Sequence, residues 1–257
     1  MSSNIQSLEG FLQQIKIVLV GTTHPGNIGA SARAMKVMGL QHLCLVAPKS
    51  EPDAAAHAMA TEASDLVHQA ERVSTLADAL KDCSAIFGTT ARERTLQWPV
   101  ISPRQAAQEA LGETRLGKLA LVFGREHSGL SNEEVGHCHK LIRIPTAEDY
   151  SSLNLAQAVQ VCAYEMRVAA LDSSANSEST SAVEQGDPGE LPADNEASQR
   201  LYEHWIKVMT QTAYLYPDNP RLLPQRVRRM LAKARFSVNE TQIFRGFLSA
   251  VEKTLKQ

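Results

Sequence analysis

The sequence predicts an α/β fold class: a mostly parallel sheet with helices on both faces, followed by a small all-helical C-terminal domain. Short apolar runs rich in β-branched residues alternate with helical patterns over about 170 residues, which is typical of parallel sheets. These runs are almost continuously apolar, as expected for strands that are covered on both faces. The helical tail follows an acidic stretch that has few large apolar residues.

Strands and helices are predicted to alternate along the first part of the chain. The strands are predicted at residues 15–20, 42–47, 84–87, 118–123 and 141–144. The helices are predicted at 27–38, 52–68, 75–81 and 103–111, and an amphipathic helix over 152–171 closes the domain. Gly39 suits the end of the first helix, and prolines near the starts of two others suit a first helical turn.

Composition divides the chain into three parts: a sheet domain at 1–171, an acidic flexible linker at 172–196 and a basic helical domain at 197–257. The linker has 7 acidic residues and no base, and it cannot bury enough apolar surface to order itself. The tail has 11 basic against 4 acidic residues, although the whole chain has a net charge of −2. Its helices are predicted at 196–214, 220–234 and 238–256, the last with a capping box at Ser237 and Glu240.

Several classes of protein are disfavoured by the sequence. The 4 cysteines form no CxxC pair and no Cys/His ligand spacing, so neither a disulfide framework nor a structural metal is expected. No secretory signal and no apolar stretch of membrane-spanning length is visible. The expectation is a soluble cytoplasmic protein that needs no metal and no membrane.

Three separated motifs lie where strands are predicted to end, which is where α/β proteins assemble pockets. They are NIGASAR at 27–33, FGREHSGL at 123–130 and SSLNLA at 151–156. Each alone has a plain structural interpretation: an Asn/Gly turn capped by Asn27, a tight glycine loop, and a serine cap before a helix. The ordered set of three indicates one site.

Two residues of these motifs are not explained by the structural interpretations alone. Arg33 lies on a helix of small residues that begins at the predicted crevice. Asn154 is expected inside the first turn of a helix capped by Ser151 or Ser152, where asparagine is unfavourable unless its side chain forms hydrogen bonds. The free N–H groups of that turn suit a carboxylate ligand. Neither dinucleotide nor Walker-type loop spacing is present, so an NAD- or ATP-dependent enzyme is disfavoured.

The motif order Asn-x-Gly-x-x-x-Arg, Phe-Gly-x-Glu-x-x-Gly-Leu, Ser-Leu-Asn-Leu-Ala resembles the SPOUT class of RNA ribose 2′-O-methyltransferases. The flanking segments at 88–92 and 145–152 and the helical tail are similar to the TrmJ-type tRNA (cytidine/uridine-2′-O-)-methyltransferases. The resemblance covers residues 15–171 closely and the tail only in general character. It implies S-adenosylmethionine-dependent methylation of the pyrimidine ribose at position 32 of the tRNA anticodon loop. The alternatives are an rRNA ribose methyltransferase and a non-enzymatic RNA-binding protein that keeps the fold.

The resemblance also implies a C-terminal trefoil knot in the sheet domain, a metal-free S-adenosylmethionine site and a homodimer whose interface helps complete each active site. The residues that it assigns to the cofactor lie at three strand ends: Thr89, Thr90, Ala91, Gly124, Ile144, Ser151, Ser152 and Leu153. Those that it assigns to catalysis are Arg33, Asn27, Glu126, Ser152 and Asn154.

Methyl transfer to a ribose 2′-OH requires stabilisation of the alkoxide that develops on the oxygen, because this hydroxyl is a weak acid. Neutralising a guanidinium near pH 7 costs about 8 kcal/mol, so Arg33 is expected to act as a charged stabiliser rather than as a base. In the tail, a basic helix and nearby aromatic residues are predicted to contact tRNA. These residues are Arg226, Arg228, Arg229, Lys233, Arg235, Trp205, Tyr214 and Tyr216. The alternative is a solvated basic face with the aromatics in the core.

Overall fold

The sheet of the protein is parallel throughout. A computed structural model describes residues 8–92, 98–147, 149, 152–175 and 187–255. Within these residues, seven strands form one sheet in the order β3-β2-β1-β6-β4-β7-β5. The strands are β1 Ile15–Val20, β2 His42–Val46, β3 Glu71–Val73, β4 Cys83–Thr89, β5 Val100–Ile101, β6 Lys118–Phe123 and β7 Lys140–Ile142. Every pair of neighbours runs in the same direction.

Helices connect the strands and form the tail. They are α1 Leu8–Gln13, α2 Pro25–Met38, α3 Ala54–Ala60, α4 Ser64–Gln69, α5 Leu76–Leu80, α6 Pro103–Leu116, α7 Asn132–Val135, α8 Leu155–Ala175, α9 Asn195–Gln211, α10 Leu223–Ala234 and α11 Val238–Thr254. The helix predicted over 52–68 is instead two helices, α3 and α4, joined by a 3₁₀ turn at Thr61–Ala63. Thr61 has a φ of 50°, which an α-helix cannot accommodate.

The five predicted strands are confirmed, and the predicted helices on both faces explain their apolar composition. Ile17 and Leu19 of β1 point to the face covered by α1, α2, α6 and α8. Val18 and Val20 alternate with them and point to the other face, where α5 and Trp98 pack. All six residues of β1 are therefore buried, as the continuous apolar run predicted.

All four cysteines are buried thiols within this core. Burial raises the pKa of the thiols of Cys44, Cys83 and Cys162 to about 12. They are packing residues of the core.

The chain is structured further into the predicted linker than its composition suggested. Helix α8 continues to Ala175. At the other end, the Val238 amide donates to the Leu191 carbonyl at 3.0 Å and the Ala193 amide to Phe236 at 2.9 Å. Segment 187–196 is thus tied to the C-terminal helices by backbone bonds that composition does not predict. The remainder of the linker, 176–186, lies outside the described residues.

The C-terminal domain is a three-helix unit, as predicted. Helices α9, α10 and α11 share a small core that includes Leu201, Val227 and Leu248. The predicted capping box is confirmed, since the Ser237 hydroxyl accepts from the Glu240 amide while the Glu240 carboxylate accepts from the Ser237 amide. No helix of the described chain has the length and apolarity to cross a membrane. The trefoil knot stays a prediction, because strand order alone does not define threading.

Candidate active site

A crevice of about 230 Å³ opens at the carboxyl ends of β4, β6 and β7. Seven of the eight residues assigned to the cofactor line it: Thr89, Thr90, Ala91, Gly124, Ile144, Ser152 and Leu153. Ser151, the eighth, lies outside the described residues. The side chains of Ile142, Ile144 and Leu155 give the crevice an apolar part, and threonine and serine hydroxyls lie beside it. The three strand ends predicted to share a pocket therefore do so.

One wall of the crevice is the tight loop 124–130 that follows β6. A Cβ at Gly124 would lie 2.2 Å from the carbonyl carbon of Gly129, so a side chain at position 124 would push the loop apart. The backbones of Arg125 and Gly129 also bond to each other, with N···O distances of 3.3 and 2.9 Å. Glycine at position 124 thus allows the loop to fold back on itself.

The same loop is fixed from outside by Arg125. Its guanidinium donates to both carboxylate oxygens of Glu134, at 3.0 and 2.9 Å. The side chain of Arg125 crosses Gly21, whose φ of 60° is in the left-handed region. A Cβ at Gly21 would lie 2.7 Å from Nε of Arg125, so this crossing requires glycine. Arg125 lines the crevice, but its guanidinium is paired with Glu134 and holds the loop.

Glu126 joins the second motif to the first. Its carboxylate accepts from the Thr23 amide at 3.1 Å, the Thr23 hydroxyl at 2.9 Å and the Asn27 side-chain amide at 2.9 Å. The His24 amide donates to it at 3.3 Å. Helix α2 has no side-chain cap of its own at His24, so Glu126 supplies a negative charge at that helix start. Partial burial raises the pKa of Glu126, but the hydrogen bonds from Asn27 and Thr23 outweigh it and lower the pKa to about 2.

Asn154 joins the third motif to this network. Its side-chain nitrogen donates to the Asn27 side-chain oxygen at 2.9 Å. Its own side-chain oxygen accepts from the Ala156 amide at 2.9 Å. Helix α8 begins at Leu155, so Asn154 is the cap; the prediction that Ser152 could be the cap, with Asn154 inside the first turn, is wrong. Asn27 thus bonds to residues of both other motifs, and the three motifs meet through side chains.

Arg33 lies apart from the crevice within a single chain. It is exposed on α2 and does not line the cavity. It lies six positions after Asn27, which is about 9 Å along a helix. Among the described residues its side chain has no hydrogen-bond or ion-pair partner. Gly29 of the same motif has a packing role, since a Cβ there would lie 1.9 Å from the Ala56 carbonyl oxygen of α3.

Sequence reasoning missed two residues of the site. Arg92 lines the crevice and donates from Nη2 to the Ser128 carbonyl at 3.0 Å, which bridges the β4 and β6 loops. Thr23 contributes two of the donors to Glu126. Both residues follow the end of a parallel strand, and that position is the signal that could have identified them.

Most of the arginines of the predicted RNA-binding helix are turned toward the sheet domain. Arg235 forms a two-pronged ion pair with Glu113 of α6 and donates to the Ser84 carbonyl at 3.3 Å. The guanidinium of Arg229 lies 5.7 Å from the ring centroid of Trp98. These two residues hold α10 against the sheet domain, so their guanidinium groups already have partners within the protein; the contact of the basic helix with RNA stays a prediction.

Arg228 makes the third of these contacts. It donates to Gln199 at 2.8 Å, lies 3.9 Å from the Tyr202 ring centroid and is 3.2 Å from Nε2 of His137. Burial, reinforced by the positive charge of Arg228, lowers the pKa of His137 to about 4. His137 is therefore neutral near pH 7 and can accept a hydrogen bond from Arg228.

The predicted stacking residues divide into two groups. Trp205 packs in the core of the C-terminal domain, with its ring centroid 4.8 Å from that of Phe244, as the alternative interpretation held. Tyr214 and Tyr216 are exposed. Within the described chain, no group of three or more His, Cys, Asp or Glu side chains could hold a metal ion.

Comparison with known proteins gives matches over almost the whole chain. Residues 14–164 match the SpoU rRNA Methylase family, and residues 196–257 match the C-terminal domain of the tRNA methyltransferase TrmJ. A Klebsiella pneumoniae relative named tRNA (cytidine/uridine-2′-O-)-methyltransferase TrmJ is 44% identical over 246 residues, covering 95% of this chain and 99% of its own. A relative of the same name from Sodalis glossinidius is 43% identical, covering 95% and 94%. The crystal structure of TrmJ from Z. mobilis ZM4 has a TM-score of 0.80 at 32% identity, covering 92% and 98%.

Proposed function

Because the chain belongs to the SpoU rRNA methylase family, we propose that it is an S-adenosylmethionine-dependent tRNA methyltransferase acting on the ribose 2′-OH of cytidine or uridine. One observation favours this proposal over its alternatives. The relatives whose name states this activity match nearly the whole chain, including the C-terminal domain, at 43–44% identity. The family description alone names rRNA, so it is the match over 196–257 that favours tRNA. With tRNA as substrate, we expect the enzyme to act in the cytoplasm.

The crevice has features that fit S-adenosylmethionine. Its apolar residues Ile142, Ile144 and Leu155 suit an adenine ring, and the hydroxyls of Thr89 and Thr90 suit polar groups beside it. Glycine at position 124 keeps the loop that lines the crevice closed on itself, because a Cβ there would meet the Gly129 backbone. When bound, the cofactor supplies a methyl group that is already activated, so the protein supplies alignment and charge.

In this proposal Asn27, Glu126 and Asn154 are positioning residues. They fix the start of α2 against the crevice loop and the start of α8 through hydrogen bonds of 2.9 Å. With a pKa of about 2, Glu126 is ionised near neutral pH and is too weak a base to take the ribose proton. Arg33, a free cation on the helix so positioned, stabilises the alkoxide that forms on the 2′ oxygen.

A second copy of the chain completes the site in this proposal, because Arg33 does not reach the crevice of its own chain. Helices α2 and α8 pack together and expose three large apolar side chains. The exposed fractions are 62% for Val37, 52% for Tyr164 and 46% for Leu171. A homodimer formed through this face would bury them and bring α2 of one chain near the partner chain.

The test is methyl transfer from labelled S-adenosylmethionine to total RNA, followed by mapping of the modified nucleotide. We expect a 2′-O-methylated pyrimidine in tRNA, at position 32 of the anticodon loop. Label in rRNA would support the rRNA methyltransferase instead. Cofactor binding by calorimetry separates an inactive RNA-binding protein from an enzyme offered the wrong RNA. Sedimentation tests the dimer on the same sample.

A further inference from the structure

The loop that joins α9 to α10, residues 212–222, displays two tyrosine rings to solvent; we call it the tyrosine loop. The exposed fraction is 68% for Tyr214 and 65% for Tyr216. Leu215 between them is only 5% exposed and anchors the loop to the domain. The turn therefore buries Leu215 and leaves the rings on either side of it exposed to solvent.

The tyrosine loop is held in shape by its own backbone. The amides of Tyr214 and Leu215 both donate to the Met209 carbonyl at 2.9 Å. The Asn219 amide donates to the Tyr216 carbonyl at 3.1 Å. Ala213 and Arg221 have φ values of 56° and 49°, a conformation that non-glycine residues rarely adopt. The two rings are therefore presented by a defined loop.

Three basic side chains of residues 220–235 are exposed: Lys233 near the end of α10, and Arg221 and Arg226 in and next to the tyrosine loop. Arg228, Arg229 and Arg235 of α10 are directed to contacts within the protein. Arg221, in the loop, and Arg226, on the first turns of α10, are exposed. Among the described residues neither of these two side chains has a hydrogen-bond or ion-pair partner.

We propose that Tyr214, Tyr216, Arg221 and Arg226 form a contact surface for unpaired nucleotides of the RNA substrate. This surface rests on the proposed function, which supplies an RNA partner. Exposed aromatic rings stack on splayed bases, and arginines beside them bind the phosphates. A polyanion complements the charge of the segment from 197 to 257, which carries 11 basic and 4 acidic residues. The partner is therefore single-stranded RNA in a loop or at an end.

The first test measures tRNA affinity of the full-length protein with both tyrosines replaced by alanine. Each lost base stack should weaken binding about 5- to 150-fold, while the slope of log K against log salt stays unchanged. Tyr214→Phe with Tyr216→Phe should retain most of the affinity, because the rings remain. Phe247→Ala is the matched control, since this ring of α11 is 62% exposed in the same domain. The tRNA affinity of this variant should differ from that of the parent protein by less than twofold.

The second test concerns the arginines. Arg221→Ala and Arg226→Ala should each make the salt slope shallower by about 0.7 to 0.9. Arg245→Ala on α11 removes the same charge from another exposed position and should leave the slope unchanged. An equal effect of all three variants would show diffuse attraction and would overturn the assignment of the surface.

A third measurement separates this proposal from the proposed function. The tyrosine variants should bind S-adenosylmethionine as the parent protein does, with a raised KM for tRNA and an unchanged kcat. If the parent protein methylates no tRNA but its RNA binding depends on the tyrosines, the proposed function fails and the surface stands. Unchanged RNA affinity of the alanine variant overturns the surface. The surface is also overturned if the alanine variant keeps its RNA affinity but no longer self-associates, because the loop would then be a contact between two copies of the chain.

Discussion

Replacing Glu126 with glutamine should weaken the junction between the crevice loop and helix α2. The carboxylate accepts four hydrogen bonds, from the Thr23 amide and hydroxyl, the His24 amide and the Asn27 side chain. A neutral amide can accept some of these bonds but loses the charge that faces the positive helix start. We expect a less stable protein in which Arg33 is less well placed.

The magnitude follows from the pKa of Glu126, which is lowered from 4.5 to about 2. For a group shielded from solvent, such a change would correspond to about 3 kcal/mol. Because Glu126 is partly exposed, solvent screening reduces the expected contribution to about 1–2 kcal/mol. A lowered pKa in the folded state means that this stability is fully present above about pH 4.5 and is lost as the pH falls toward 2.

The assay is urea unfolding of the parent protein and the Glu126→Gln variant across this pH range. The difference in unfolding free energy should be about 1–2 kcal/mol at pH 7 and should shrink toward zero near pH 2. Glu133→Gln, at an exposed position of α7, is the control and should show no comparable difference. A Glu126→Gln difference that stays the same at both ends of the range would refute the role of the charge.

Three further predictions concern other parts of the structure. Arg33→Ala should lower kcat about 100-fold or more and leave cofactor affinity within a few-fold; near-normal turnover would show that its assigned role is wrong. Gly124→Val should weaken cofactor binding more than RNA binding and lower the Tm, because its Cβ would meet Gly129 at 2.2 Å; unchanged cofactor affinity in a folded variant would place the pocket elsewhere. Arg235→Met should destabilise the protein by about 1–3 kcal/mol, because it leaves the partly buried Glu113 carboxylate without its partner; a second change, Glu113→Leu, should recover much of the loss, and chemical denaturation measures both.

The central strands and the crevice could be predicted because the signals are local. Continuous apolar runs mark β1 and β6, and each motif follows a strand end directly. The edge strands β3 and β5 were missed because two of the three residues of β3 are charged and β5 has only two residues, so neither forms an apolar run. Likewise, the start of α8 was misplaced since Ser152 and Asn154 are both good caps, and only the distant Asn27 shows which one is used.

The contacts between the basic helix α10 and the sheet domain could not be predicted, because the partner residues are remote in sequence. Arg235 pairs with Glu113, which lies 122 residues earlier. Net charge shows that α10 is basic but not which of its cations meet a carboxylate after folding. Hydrophobic periodicity likewise placed a helix around Trp205 without showing that its ring would pack on Phe244.

The burial of every cysteine offers a practical opportunity for spectroscopy. At neutral pH, thiols with a pKa of about 12, such as those of Cys44 and Cys162, are almost entirely protonated and also inaccessible to maleimide reagents. Cysteines introduced on the surface would therefore be labelled selectively without first removing the native ones. With dyes at one engineered position on α11 and one on α6, energy transfer would report whether the two domains keep their separation while RNA is bound and released.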